Sequence, residues 1–189
     1  MGMPVATERY WTAEDVRQLP EDGSRYECVG GVLLVSPSPR QVHQAAVFEL
    51  FHLLVDFVKE NALGSLLGSP ADVGLTPDDI VQPDLFVARV RPDAPTPWDW
   101  PDITGLALAI EVLSPSTASH DRIIKRTYYQ RIGVDEYWIV DLDAHLIERW
   151  RPNDDRPEIL TASLVWEPRA DASLTLDLAA FFKAVTGAS

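Results

Sequence analysis

The segment from Leu106 to Leu113, LALAIEVL, constrains the fold more than any other part of the sequence, because seven of its eight residues are apolar. Alternate side chains of a strand point to opposite faces of a sheet, so a strand of this composition is stable only when both faces are covered. The segment therefore predicts a central strand of a sheet that carries packed elements on both sides. Its one polar residue, Glu111, would then be buried and would need a partner.

The rest of the chain alternates between helical and strand patterns. Helices are predicted from the N-cap Thr12 to about Leu19, from Val42 to about Asn61, from Asp121 to Ile132, and from Leu176 to Val185. Strands are predicted at Arg25 to Val29 and Val32 to Val35, joined by Gly30-Gly31 as a tight hairpin, and at Leu66 to Leu75, Val81 to Val90, Leu106 to Leu113, and Tyr137 to Asp141 paired with Ala144 to Arg151. The proline- and tryptophan-rich segment 91–105 is interpreted as an ordered surface loop. This order predicts a mixed α/β sheet flanked by helices, with an N-terminal helix and β-hairpin.

Composition limits the class of protein. A chain of 189 residues predicts one domain. Cys28 is the only cysteine, which excludes an internal disulfide and thiolate-rich zinc sites and fits a reducing cytoplasm. No stretch reaches the roughly 18 uncharged apolar residues of a membrane-spanning helix, so no membrane partner is expected. A net charge of −13 opposes sequence-independent binding to nucleic acid, and any such site would have to be a local basic patch.

Two carboxylates interrupt the predicted central strands. Glu111 alternates with Ala107 and Ala109, whose small side chains leave space beside it, and Asp84 alternates with Phe86. Taken alone, each acid has a plainer interpretation, as a strand-end residue that reaches solvent or as an acid in a turn. Taken together, carboxylates on adjacent strands can share one divalent cation, and oxygen ligands of this kind suit Mg²⁺ or Mn²⁺.

The segment that follows Glu111 contains the candidate basic patch. Asp121, Lys125 and Tyr129 are spaced one helical turn apart and share a stripe that could face a site. Four cations and one acid between residues 121 and 131 give this segment a charge of +3, which makes Arg122 and Arg126 candidates for contact with an anionic substrate. A solvated helix face is the alternative interpretation.

His43 is the candidate on the long helix. At about 100° per residue it shares a stripe with Leu50 and Leu54 and points inward. A hydrogen-bonded core histidine is the alternative. Glu27 lies on the opposite face of its strand from Cys28 and could border the same site.

An ordered set of short motifs resembles the Uma-two (Uma2) family of putative restriction endonucleases, which belongs to the PD-(D/E)XK nuclease superfamily. The motifs are Tyr26-Glu27, Gly30-Gly31, Ser36-Pro-Ser-Pro with His43, Pro83-Asp84, Glu111-Val-Leu-Ser-Pro-Ser-Thr117, Asp121 with Lys125 and Tyr129, and Gly133-Val-Asp-Glu-Tyr-Trp-Ile-Val-Asp141. The resemblance runs from about Thr12 to Asp141. It implies a restriction-endonuclease-like fold in a single domain 1–189, with a nuclease core at about 12–141 and a C-terminal hairpin and helix at about 144–185.

The resemblance also implies roles for individual residues. Asp84 and Glu111 would hold Mg²⁺ or Mn²⁺ with help from the carbonyl of Val112. The superfamily's lysine normally stands two residues after the strand acid, where this chain has Leu113, and Lys125 looks like its relocated counterpart, stabilising the attacking hydroxide or the oxyanion. His43 is a further catalytic candidate. The candidates for substrate contact are Glu27, Arg122, Arg126 and Tyr129.

These expectations describe a metal-dependent endonuclease that acts on nucleic acid, with DNA as the expected substrate. One site per chain implies a homodimer if both strands of a duplex are cut together. Two other classes stay open: a catalytically inactive nuclease-fold module that binds nucleic acid or a protein partner, which the missing lysine at position 113 and the acidic charge favour, and a purely structural dimer.

Overall fold

A six-stranded sheet organises the chain in the computed structural model, which describes residues 9–94 and 100–187. In chain order the elements are α1 (Ala13–Arg17), β1 (Arg25–Val29), β2 (Val32–Ser36), α2 (Gln41–Glu60), β3 (Ser65–Gly68), β4 (Leu85–Val90), β5 (Ile103–Val112), a π-helical turn (His120–Lys125), α3 (Arg126–Arg131), β6 (Glu136–Asp141), β7 (Leu146–Trp150), β8 (Glu158–Leu160), β9 (Ser163–Arg169), β10 (Ala172–Asp177) and α4 (Leu178–Thr186). A short 3₁₀ helix, Trp100–Asp102, precedes β5.

The main sheet has the strand order β3-β4-β5-β6-β7-β8, in which β5 and β6 are parallel and the other neighbouring pairs are antiparallel. One face packs against α2, α4 and the β9–β10 hairpin, with Leu50 and Trp166 in that core. The other face packs against α3 and the β1–β2 hairpin through Tyr129 and Leu34. Both faces of β5 are therefore covered, and the predicted mixed α/β sheet is confirmed.

The N-terminal elements agree closely with the sequence prediction. Thr12 caps α1, and its side chain forms a reciprocal capping box with Asp15. Gly30 and Gly31 join β1 to β2 with φ angles of 57° and 82°, a backbone region in which glycine has no steric penalty. Both predictions are confirmed, although α1 ends at Arg17 rather than near Leu19.

The middle of the chain departs from the prediction at three points. Strand β3 ends at Gly68 and β4 begins at Leu85, so Asp84 precedes its strand instead of lying within it. In β5, a register shift opposite Val87 and Ala88 places Ala107 in the same core as Leu108, whereas Ala109 lies on the Glu111 side. The predicted helix from Asp121 to Ile132 consists of the π-helical turn followed by α3.

The C-terminal region contains more strands than predicted. Strands β8, β9 and β10 lie outside every predicted strand, and α4 begins at Leu178 because the two residues before it belong to β10. The turn between β6 and β7 covers residues 142–145. Part of the predicted surface loop, residues 95–99, lies outside the described residues. Within the described ranges, no helix combines the length and the apolar character needed to cross a membrane.

Candidate active site

Five charged side chains from separate parts of the fold meet beside the ends of β4 and β5. Leu85 pairs with Ile110 in the antiparallel register, so Asp84 and Glu111 come together at this edge. Strand β1 contributes Glu27, and the π-helical turn contributes Asp121 and Lys125. We call Glu27, Asp84, Glu111, Asp121 and Lys125 the acidic cluster, and each is at most 3% exposed. Glu111 therefore does not reach solvent, and Asp84, which lies in the bend before β4, is buried.

Lys125 lies among three carboxylates of the acidic cluster. Its Nζ is 2.8 Å from Glu111 Oε1, 2.9 Å from Glu27 Oε1 and 3.7 Å from Asp121 Oδ1. Burial by itself would lower the pKa of Lys125, but the three carboxylates raise it above its ordinary value. The ammonium group is therefore charged, and it links β1, β5 and the π-helical turn.

Asp84 is held by donors on both oxygens. Oδ2 accepts from the backbone N–H of Val112 at 2.8 Å and lies 3.0 Å from His43 Nε2, and Oδ1 accepts from Arg25 Nη1 at 2.7 Å. Burial would raise the pKa of Asp84, but the hydrogen bond from His43 and the charges of His43, Arg25 and Lys125 lower it below the ordinary value. Asp84 is thus a fixed, ionised carboxylate.

Glu111 has one oxygen engaged and one open. Oε1 accepts hydrogen bonds from Lys125 at 2.8 Å and from the hydroxyl of Tyr129 at 3.2 Å. Among the described residues, no side chain or backbone N–H donates a hydrogen bond to Oε2. Burial, together with the carboxylates around it, raises the pKa of Glu111 well above its ordinary range against the opposing charge of Lys125. Burial also raises the pKa of Tyr129, so its hydroxyl keeps its proton and remains a donor.

The charges of the site do not balance within the described residues. Four carboxylates face two permanent cations, Lys125 and Arg25, so an excess of two negative charges remains when every acid is ionised and His43 carries no charge. Glu27 Oε2 and Asp121 Oδ1 are buried without a hydrogen-bond partner in that part of the chain. Burial also raises the pKa of Asp121. A buried excess of negative charge of this size is unfavourable unless it is protonated or met by a cation.

A hard divalent cation fits this site in donor type and in charge. Carboxylate oxygens are its preferred ligands, and two positive charges would offset the excess. The donors are not arranged as a finished cage: across residues 9–94 and 100–187, no three His, Cys, Asp or Glu side chains already surround one point in metal-binding geometry.

A cleft of about 850 Å³ opens beside the acidic cluster. It is lined by Asp84, His43 and Arg25, by residues 36–40 before α2, and by residues 114–117 after β5. A second cavity of about 570 Å³ lies near α4 and the turn between β6 and β7, and no member of the acidic cluster lines it. Of the acidic cluster, Asp84 lines the first cleft, which therefore gives a ligand access to that carboxylate.

The structure brings some of the predicted site residues together. His43 points inward as expected, contacts Asp84 and is 7% exposed. Glu27 is fully buried within the acidic cluster, and Tyr129 is fully buried against Glu111. The N–H of Val112 bonds to Asp84; the role predicted for its carbonyl stays a prediction.

The charges of the predicted basic patch are partly paired within the fold, and the substrate contacts predicted for Arg122 and Arg126 stay predictions. Lys125 is buried, and Arg122 pairs with Glu148 at 2.6 Å and Asp141 at 2.8 Å. Arg126 stacks over the ring of Trp150 at 4.9 Å. Neither arginine lines the cleft. Acids from β6 and β7 thus offset the charge of Arg122, and the acidic cluster offsets that of Lys125.

Arg25 is the site residue that the sequence interpretation missed. It contacts Asp84, and its Nε lies 3.8 Å from Glu27 Oε2. The available signal was alternation, since residues 25 and 27 lie on the same face of β1. Proximity of that face to Asp84 depends on how the hairpin docks, which no local pattern specifies.

The sequence and the fold of this chain were compared with those of known proteins. The chain matches the model of the Uma2 family, described as putative restriction endonucleases, over residues 13–180. It is also similar to the crystal structure of a putative nuclease belonging to DUF820 from Anabaena variabilis ATCC 29413, with a TM-score of 0.72 and 20% sequence identity, over 92% of this chain and 98% of that one. The comparison with curated proteins gave no significant match. At this identity the structural likeness shows a shared fold.

Proposed function

Because the chain belongs to the Uma2 family of putative restriction endonucleases, we propose that it is a metal-dependent endonuclease that hydrolyses phosphodiester bonds of nucleic acid, with DNA as the substrate. The observation that carries this proposal is the acidic cluster, in which Asp84 lines a cleft and Glu111 lies beside it at the ends of β4 and β5, with the ammonium of Lys125 at 2.8 Å from Glu111. Apolar residues of similar size would pack this region at least as well as the buried acids and the buried lysine do, so packing alone does not account for these charged side chains.

Asp84 and Glu111 would hold Mg²⁺ or Mn²⁺, with the carbonyl of Val112 as a further ligand. When bound, the cation would supply Lewis-acid chemistry, acidifying a water molecule and offsetting the charge that builds on the phosphoryl oxygens. The open Oε2 of Glu111 and the excess negative charge of the cluster support this assignment.

The neighbouring residues would act on the two carboxylates. Tyr129 and Lys125 both donate to Glu111 Oε1 and fix its orientation. The Val112 N–H and His43 do the same for Asp84, and His43 Nδ1 is itself buried without a hydrogen-bond partner in the described residues. We therefore assign positioning and electrostatic roles to His43 and Lys125. The charge of Lys125, which lies next to Glu111, would stabilise the attacking hydroxide or the oxyanion.

Thermal unfolding in titrated Mn²⁺ tests the metal site directly. A ligand at 100 times its dissociation constant adds about 2.7 kcal/mol of stability, which raises the midpoint by about 5–10 °C in a protein of this size. We expect this shift in the wild type and in the control D56N, whose side chain is exposed on α2, and its loss in D84N and E111Q. Absence of a shift in the wild type would contradict the metal site.

Cleavage then tests the activity. In Mn²⁺ the wild type and D56N are expected to cut DNA, and D84N and E111Q to lose that activity while they remain folded. The alternative is a module that binds without turnover, and it is favoured by the position of Lys125 between Glu27 and Glu111, where it already occupies part of the acidic cluster. A metal-dependent stability shift with binding but no cleavage of single- or double-stranded DNA would select that alternative.

The assembly follows from the same proposal. A homodimer in the cytoplasm would present two sites to the two strands of a duplex. Its mass in solution scattering should be close to twice the 21.0 kDa of one chain. A monomer at all concentrations would remove the dimer and leave cleavage of one strand at a time.

A further inference from the structure

Arg25 stands at the boundary between the buried cluster and the cleft. Its side chain is 21% exposed and lines the cleft, whereas the side chain of Lys125 is 2% exposed. Arg25 therefore differs from Lys125 in the property that a substrate contact requires, because a ligand in the cleft can reach it.

The guanidinium of Arg25 has unused donors. Nη1 donates to Asp84 Oδ1 at 2.7 Å and to the carbonyl of Gln82 at 3.2 Å, which accounts for both of its hydrogens. Nε is 3.8 Å from Glu27 Oε2, beyond hydrogen-bond distance, and Nη2 has no acceptor among the described residues. The planar guanidinium presents its donors as a fork that matches the spacing of phosphate oxygens. Arg25 is thus fixed by Asp84 on one side and open to an anion on the other.

The alternative cations are less suitable. Lys125 is 2% exposed and does not line the cleft, so a phosphate bound in the cleft does not reach its ammonium. Arg17 and Arg40 line the cleft but do not contact the acidic cluster. Within the described residues, Arg25 is the arginine that both lines the cleft and touches a proposed metal ligand.

We propose that Arg25, and not Lys125, is the residue that binds the scissile phosphate, with Nη2 donating to a non-bridging oxygen while Nη1 remains on Asp84. This assignment rests on the proposed function and names its substrate contact. It places the phosphate next to Asp84, where the reaction would occur, and it gives the N-terminal hairpin a direct part in substrate binding.

The test measures binding separately from cleavage. The probes are a fluorescein-labelled 12-nucleotide oligothymidine and a labelled 12-base-pair duplex. Fluorescence anisotropy measures their binding in Ca²⁺ at several salt concentrations, and gel electrophoresis verifies that each probe is intact. The proteins are the wild type, R25K, R25Q and the control R169Q, whose charge lies on β9, outside the lining of the cleft. Circular dichroism establishes that each variant is folded.

The two Arg25 variants should differ in an informative way. R25Q removes a charge, so affinity should fall about ten- to hundredfold, and the slope of log affinity against log salt should shrink by about 0.7 for the single strand or 0.9 for the duplex. R25K keeps the charge beside Asp84 but loses the fork, so affinity should fall while the salt slope is retained. R169Q should leave the affinity and the slope unchanged. If R25Q fails to fold, R25K alone decides the question.

Wild-type affinity and slope in R25K would overturn the assignment of Arg25, and if the wild type also cuts DNA the proposed nuclease function would survive. A wild type that neither binds nor cuts either probe would instead refute the proposed function, and the role of Arg25 with it.

Discussion

Replacement of Lys125 by methionine is the most direct test of how the acidic cluster is held. Methionine has a similar length and no charge, so the variant leaves Glu27, Glu111 and Asp121 buried without the ammonium that lies within 4 Å of each. Removal of one partner from a buried ion pair costs about 3–5 kcal/mol, because the charge left behind remains desolvated. At roughly 2–4 °C per kcal/mol in a domain of this size, K125M should unfold about 6–20 °C below the wild type.

A double variant separates charge from packing. K125M/E111Q removes the ammonium together with one of its carboxylates. We expect the double variant to lose about 0.5–3 kcal/mol less free energy of unfolding than the sum of the losses in K125M and E111Q. Urea denaturation at pH 7 measures all four proteins of the cycle. The two other lysines, Lys59 and Lys183, are exposed and provide matched controls, and K59M and K183M should stay within about 0.5 kcal/mol of the wild type.

The reasoning would be refuted by a loss of less than about 1 kcal/mol in K125M, or by strictly additive effects in the double variant. Either result would mean that the ammonium of Lys125 is not energetically coupled to the carboxylate of Glu111, and the charge assigned to Lys125 would be wrong.

Two further predictions concern stability. Burial raises the pKa of Tyr128 to about 12; because an unfolded tyrosine ionises near pH 10, the wild type should lose roughly 3 kcal/mol between pH 10 and 12 through this group. Urea denaturation at pH 7 and pH 12 should show Y128F close to the wild type at pH 7 and more stable at pH 12, and an equal alkaline loss in both proteins would contradict the shift. A Cβ at Gly64, where φ is 132°, would lie 2.2 Å from the carbonyl oxygen of Ala88, whereas at Gly133, where φ is 74°, it would meet nothing within 4 Å. G133A should therefore cost only the roughly 1–2 kcal/mol of a left-handed backbone, and G64A clearly more, when both are measured by denaturation; equal costs would refute the steric argument.

The sequence specified the centre of the fold because burial there leaves a local signature. The apolar run around Glu111 predicted a strand covered on both faces, and its single carboxylate marked the site. Helical spacing brought Lys125 and Tyr129 to that carboxylate even though the backbone forms a π-helical turn, which has no sequence pattern of its own.

Features that depend on docking could not be predicted in the same way. The sequence pattern correctly placed Arg25 and Glu27 on β1, but their contact with Asp84 and Lys125 arises only when the hairpin packs on the main sheet. Likewise, the charge of Arg122 is visible in the sequence, whereas its neutralisation by acids of β6 and β7 is a tertiary property. Strand β9 did leave a signal in the sequence, because the apolar residues Leu164 and Trp166, which are buried, stand two positions apart and are flanked by Ser163 and Glu167.

The β1–β2 hairpin forms a two-stranded sheet of its own, yet it supplies Glu27 and Arg25 to a site whose other charged members belong to the rest of the chain. Binding at the site and attachment of the hairpin are consequently linked equilibria. A ligand that binds the assembled cluster more tightly stabilises the docked state of the hairpin. The free energy of that stabilisation equals the free energy by which the docked hairpin strengthens ligand binding, because thermodynamic coupling is reciprocal. Slower hydrogen exchange of the backbone N–H groups of β1 would then report that a ligand occupies the cleft.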